Sequence, residues 1–174
     1  MSTRYNNIIY NDTANGEGMR ISFFTQGCSH HCKGCFNKDI AWDFNGGKNF
    51  TVEVLNEIMF VFRNFKDGYN GLSILGGEPL DNFIVSKTLI DTFRNEYKDS
   101  KTIWLYSGYT FEQILKDKNK LELLSKCDIL VDGKFVEELY DADLKFRGSS
   151  NQRIILVRQS LLNNKVIEYK TKGE

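Results

Sequence analysis

The chain has 174 residues, with 23 Lys plus Arg balanced by 23 Asp plus Glu, and a hydrophobic fraction of 41%. That length suits one domain spanning residues 1–174 around one core and is too short for two ordinary domains. A formal net charge of zero gives no basis for general attraction to nucleic acid or to an acidic membrane surface, and no stretch approaches the ~20 apolar residues of a membrane span.

The opening segment, MSTRYNNIIYND, lacks the basic region and apolar core of a signal peptide. The expected location is therefore the cytoplasm, where thiols stay reduced and structural disulfides are rare. No repeat, low-complexity tract or proline-rich linker divides the chain, and the single proline, Pro79, sits inside a glycine motif. After the polar lead NDTANGEG, the segment RISFFTQ (20–26) predicts a short strand that stops immediately before a cluster of cysteines.

From Thr51, TVEVLNEIMFVFRNF places Val52, Leu55, Met59 and Phe62 at helical spacing, with Thr51 as the cap and the turn KDGYNG after it. LSIL (72–75) then predicts a buried strand followed at once by GGEP, and a second amphipathic helix begins near Asp81. The pattern repeats as TIWLY, SGY and the helix-like TFEQILKDK, and again as LELLSK, DILV and DGKF. A further strand, RIILV (153–157), follows the polar loop RGSSNQ. Strands alternating with helices predict an α/β fold with a largely parallel sheet, as an open sheet or a partial barrel. In such folds the loops at the carboxyl ends of the strands build the site, so GCSHHCKGC, GGEP, SGY and DGK are predicted to face one mouth.

Cys28, Cys32 and Cys35 have the spacing C-x3-C-x2-C. Three clustered cysteines in a reducing compartment point to a metal or to redox chemistry. A structural zinc site wants four closed ligands, and His30, His31 or the distant Cys127 would have to complete a zinc-stabilised binding module. An iron-sulfur cluster on three cysteines instead leaves one iron open to a substrate, as a catalytic metal site requires. Cys127 at the start of a strand reads as a small buried hydrophobe, and Trp42 and Phe44 either pack over the cluster, face a partner or belong to the core.

A C-x3-C-x2-C loop after a first strand, with a GGE loop after a second, resembles the radical S-adenosylmethionine superfamily. Lys33-Gly34-Cys35-Phe36-Asn37, with Gly34 where many members carry an aromatic residue, looks like its branch that activates anaerobic ribonucleotide reductase. GEGMRISFFTQGCSHHCKGCFN, WDFNGG, ILGGEPL, WLYSGYTFE, DILVDGKF and RGSSNQRII carry that likeness over most of the chain. The resemblance implies a partial, open β/α barrel whose Cys28, Cys32 and Cys35 hold a 4Fe-4S cluster with an iron free for S-adenosylmethionine. It implies reductive cleavage of that cofactor to a deoxyadenosyl radical, and a loop Gly76-Gly77-Glu78-Pro79 that holds the methionine amino group, with Glu78 able to accept from an ammonium. His30 and His31 then become shell residues that affect solvent access and potential.

Within that frame Ser107 and Gly108 contact ribose or carboxylate, or form a plain turn. Asp132 contacts the cofactor or a cation, or caps a turn. Asn151, with Arg147 and Arg153, positions the cofactor or meets the partner, or the arginines are charges on the surface flanking a strand. The implied target is a C-terminal glycine of the large anaerobic ribonucleoside-triphosphate reductase, and the implied electron donor a reduced flavodoxin or ferredoxin-like protein. The alternative within the superfamily is a small-molecule enzyme similar to the 7-carboxy-7-deazaguanine synthases.

Overall fold

The computed structural model describes residues 3–65 and 67–171. Seven strands and six helices alternate along it: β1 (Arg4–Asp12), β2 (Arg20–Thr25), α1 (Lys38–Ala41), β3 (Lys48–Asn49), α2 (Val52–Asn64), β4 (Gly71–Gly76) and α3 (Phe83–Tyr97). β5 (Thr102–Ser107), α4 (Phe111–Ile114), α5 (Lys118–Leu124), β6 (Ile129–Asp132), β7 (Arg153–Leu156) and α6 (Val157–Asn163) complete it. The strands form one sheet in the order β3-β1-β2-β4-β5-β6-β7.

The α/β class holds, whereas the expectation of a largely parallel sheet needs correction. β2, β4, β5 and β6 are mutually parallel, but β1 pairs antiparallel with β2 and β3, and β7 antiparallel with β6. The connections explain the difference. A parallel return needs a crossover of a dozen or more residues, usually helical. β1 reaches β2 through a short loop, and the segment between β6 and β7 packs no helix across the sheet beyond a single 3-10 turn at Glu137–Leu139.

The central strands read as apolar runs because both faces are covered. One face packs on the helices: Ile21, Phe23, Leu72, Ile74, Ile103, Leu105 and Leu130 join Ile58, Met59 and Phe62 of α2 and Leu89, Ile90 and Phe93 of α3. On α2 the buried stripe runs through Ile58, Met59 and Phe62, while Val52, expected inside, is 62% exposed. Lys66, which opens the turn predicted after α2, lies outside the described residues. The predicted helix TFEQILKDK ends at Ile114 as α4, and the predicted stretch LELLSK falls within and just after α5, which begins at Lys118. Thr110 and Gln113 form a reciprocal cap on α4, and the Asp117 carboxylate accepts the N–H groups of Asn119 and Lys120, starting α5 afresh. RIILV ends as a strand at Leu156, and Val157 opens α6.

Arg20 fastens the inner face at the amino ends of the parallel strands. Fully buried, it donates to Ser73 Oγ (2.7 Å) and the Leu72 carbonyl (2.8 Å) of β4, and to the hydroxyl and carbonyl of Thr102 on β5 (both 3.0 Å). Burial lowers its pKa to about 10, so it stays charged at neutral pH. At the opposite end the registers align Thr25 with Gly76 and Ser107 with Asp132, so the four parallel strands finish together.

Candidate metal and cofactor site

The cysteine loop springs from the end of β2. Gly27, at φ +97°, turns the chain, and a side chain there would strike the Phe44 ring at 2.2 Å. The loop closes on itself, Gly27 N–H donating to the Ala41 carbonyl (2.8 Å) and Cys28 N–H to that of Trp42 (3.3 Å). Inside it Cys35 N–H donates to the Cys32 carbonyl (3.2 Å), a tight turn through Gly34 at φ +68°. This left-handed position accounts for the glycine that replaces the more usual aromatic residue.

All three thiols are half-buried and line one cavity of about 370 Å³, together with Gly76, Gly77, Glu78, Ser107, Gly108, His30 and Trp42. Burial pushes the Cys28 thiol up to about 11 and raises that of Cys32. Without metal the Cys28 thiol is therefore protonated at neutral pH, and ligation would displace its proton. Among the described residues no three histidine, cysteine or acidic side chains converge to hold a single ion. Three thiols spread around a cavity wall fit a polynuclear cluster better than one zinc ion. The fourth cysteine, Cys127, is buried in the helix-facing core.

Glu78 is the internal post of the site. It is 1% exposed, and its Oε1 accepts from Ser107 Oγ (2.9 Å) and Leu80 N–H (2.9 Å), its Oε2 from Gly108 N–H (2.8 Å). His30 Nε2 lies 2.9 Å from the same Oε2. The carboxylate that the sequence offered to an ammonium ion is thus saturated by its own chain. Gly76 and Gly77 allow the close approach that holds this loop to β2: a side chain at Gly77 would fall 2.3 Å from the Gly27 carbonyl, and one at Gly76 2.7 Å from Phe24 Cα. Pro79, within the loop, is buried.

Other predicted residues fall elsewhere. Asp132 is 1% exposed and turned away from the cavity, accepting from Phe111 N–H (2.7 Å) and paired with Arg153 (2.5 Å). Asn151 is exposed and donates to the Lys134 carbonyl (2.9 Å). Both line a neighbouring recess that shares Gly108 and Gly133 with the main cavity. Arg147 does line the main cavity; Arg153 instead bridges Asp132 and Glu112. His31 is exposed beside Trp42 (4.8 Å), and Phe44 packs on Gly27 outside the cavity lining.

The sequence reading missed several wall residues, among them Asn15, Asn37, Tyr106 and Phe135. Tyr106 shares a face of β5 with Trp104, two residues before it, the one signal that could have found it. Its hydroxyl and the Trp42 indole N–H are buried without a partner, two polar atoms in the cavity wall left for a bound group to satisfy.

A family model described as a 4Fe-4S single cluster domain matches residues 14–155, which include every cavity residue named above. The anaerobic ribonucleoside-triphosphate reductase-activating protein of Vibrio cholerae is 38% identical over 145 residues, covering 82% of this chain and 91% of its own. The chain belongs to this family. Its likeness extends to the activating protein of the same name in Escherichia coli K12, 36% identical over 143 residues and covering 81% of this chain and 90% of that one. The counterpart in Enterobacteria phage T4 is 35% identical over 152 residues, 86% of this chain and 92% of the relative. Among the described residues of this family member no helix is long and apolar enough to cross a membrane.

Proposed function

We propose that this protein activates an anaerobic ribonucleoside-triphosphate reductase, using a 4Fe-4S cluster on Cys28, Cys32 and Cys35 and S-adenosylmethionine bound beside it. The observation that carries the reading is the meeting of three half-buried thiols with the Gly76-Gly77 and Ser107-Gly108 turns around one cavity, in a chain 38% identical to a named activating protein. A cavity of about 370 Å³ lies within the range for small-ligand sites. When bound, the reduced cluster and the sulfonium cofactor supply a carbon-centred radical able to take a hydrogen atom from a glycine of the reductase.

The chain's own residues bind, orient and shield. Glu78, saturated internally, keeps the GGEP loop rigid, which leaves the backbone carbonyls of Gly76 and Gly77 as acceptors for the methionine ammonium. The Tyr106 hydroxyl and Trp42 indole are the unpartnered donors of the wall. Trp42 and Phe135 line the cavity and limit water. Asp132 and Asn151, in the adjoining recess, hold the wall in place and do not touch the cofactor's methionine end. The seven-stranded sheet is read as an incomplete barrel, residues 1–174 forming one radical S-adenosylmethionine domain, its missing staves leaving room for a protein loop. A reduced flavodoxin or ferredoxin-like protein of the cytoplasm is the electron source this reading requires.

Electron paramagnetic resonance on the anaerobically reconstituted, reduced protein mixed with S-adenosylmethionine and the reductase tests this directly. An organic radical doublet on the reductase, abolished when its C-terminal glycine is replaced, is the expected result. Deoxyadenosine formed without a protein radical would move the substrate to a small molecule, and an iron-loaded sample giving neither product would remove the cofactor assignment.

A further inference from the structure

Outside the cluster ligands and the GGEP motif, one set of contacts is unusually dense for a loop that has only to carry cysteines. Asp81, three residues beyond Glu78, accepts from both the backbone N–H (3.2 Å) and the hydroxyl (2.6 Å) of Ser29, the residue after Cys28. Its other oxygen accepts from the Tyr109 hydroxyl (2.8 Å). The Tyr109 ring lies edge-on to His30 at 4.4 Å, and Lys120 Nζ sits over the ring, 4.7 Å from its centroid. Nearby, Gly27 accepts through its carbonyl from Glu78 N–H (2.8 Å) and Asn82 Nδ2 (2.9 Å). The Cys28 end of the loop is therefore bonded to the loops after β4 and β5, which also form the cavity wall.

We infer that Asp81 and Tyr109 are positioning residues that fix Cys28 in register with the Gly76-Gly77 turn, so that the cluster and the bound sulfonium cofactor keep one distance and orientation. The inference rests on the functional reading above. Hydrogen bonds to an ionised carboxylate are shorter and stronger than neutral ones, and here two of the three are made to one residue beside a ligand. Neither side chain lines the cavity, so neither touches the cofactor.

The test compares Asp81→Ala, Asp81→Asn and Tyr109→Phe with the wild type, each loaded with iron and sulfide. The reduced-cluster resonance spectrum is titrated with S-adenosylmethionine. Asp81→Ala is expected to need about tenfold more cofactor to convert the spectrum, the ratio equivalent to about 1.4 kcal/mol. Asp81→Asn keeps an acceptor for Ser29 and is expected to recover to within about threefold. Tyr109→Phe removes only a hydroxyl from a partly exposed ring, so it keeps the fold, and combined with Asp81→Ala it is expected to add nothing further. A titration midpoint unchanged in Asp81→Ala, or additive effects in the double variant, would overturn the proposal.

Amide exchange in the cluster-free proteins gives a readout independent of the cofactor. Ser29 N–H should exchange at least about tenfold faster in Asp81→Ala, and equal rates would also overturn it. If the wild type itself shows no spectral response to S-adenosylmethionine, the functional reading falls while the exchange result still decides the positioning.

Discussion

Gly77→Ala bears most directly on how the site is assembled. An added Cβ would stand 2.3 Å from the Gly27 carbonyl oxygen and 2.9 Å from its carbon, both backbone atoms that no rotamer change can move aside. The strand ends of β2 and β4 must separate by about 1 Å to restore ordinary contact. Separation strains the bonds made there, from Gly77 N–H to the Thr25 carbonyl (2.9 Å) and from Glu78 N–H to the Gly27 carbonyl (2.8 Å). Overpacking costs about 1–3 kcal/mol and one lost hydrogen bond about 1, against a gain of about 0.5 from the stiffer unfolded chain. A net loss of about 1.5–3.5 kcal/mol lowers Tm by about 5–10 °C for a chain of this size. Melting the cluster-free variant under anaerobic conditions measures this without interference from metal. Gly68→Ala, where the nearest atom is 3.3 Å away, serves as the control and should move Tm by less than about 2 °C. If Gly77→Ala melts with the control, the close approach of the two loops does not constrain the fold and the account of the glycine pair is wrong.

Replacing Cys28, Cys32 or Cys35 with Ser should abolish iron and sulfide retention, while Cys127→Ala keeps full iron content and loses about 1 kcal/mol from a small core cavity, read by metal analysis and urea melts. Arg153→Ala leaves the buried Asp132 carboxylate without its cation and should cost about 3 kcal/mol, the lower end of the range for a broken buried pair because Arg153 reaches water. Its hydrogen bond also holds the Glu112 carboxyl down at about 2, below the usual 4.5. The contribution of Glu112 is thus complete above pH 4.5 and is lost as pH falls from 4.5 towards 2. Glu112→Gln should accordingly melt slightly below wild type at pH 6 and level with it near pH 2, a small difference because Glu112 is mostly exposed. Lys33→Ala removes only exposed ion pairs and should leave the urea melting midpoint unchanged, whereas Phe36→Ala should speed loss of iron to a chelator several-fold.

The parallel strands were legible because they are apolar on both faces, and RISFFTQ, LSIL, TIWLY and DILV all fall within a residue or two of β2, β4, β5 and β6. β1 was not, since RYNNIIYND alternates half-buried with exposed positions over most of its length as an antiparallel outer strand does, and short polar runs of that kind also describe loops. The thiols and the GGEP turn were legible from spacing and order. Asp132 takes the capping alternative through side-chain alternation: Val131 joins the inner cluster with Trp104, so Asp132 points with Leu130 to the helix side and meets the first turn of α4. Asn151, in the loop before β7, carries no such signal, because only the folded return of residues 133–152 decides which of its polar groups reach the cavity. Gln152, its neighbour, reaches it instead.

The cysteine loop is gripped unequally at its two ends, and the grip follows the division of labour in the site. At Cys28 the contacts are made to loops that also wall the cofactor cavity: the exposed Ser29–Asp81 bond, the part-buried His30–Glu78 contact, and the bond from Glu78 N–H to the Gly27 carbonyl. At Cys32 and Cys35 they are made to the segment after β6: Lys33 pairs with Glu137 and Glu138 in solvent, and Phe36 packs against Phe135 at 5.3 Å and Tyr140 at 5.7 Å. Exposed ion pairs contribute little, so the aromatic contact holds that end. Phe36 is nonetheless 70% exposed, and it adjoins Cys35 directly. The end that must keep register with a small cofactor is therefore the one bonded to both cavity-forming loops. The end whose apolar surface is still uncovered, at Phe36, lines the same cavity.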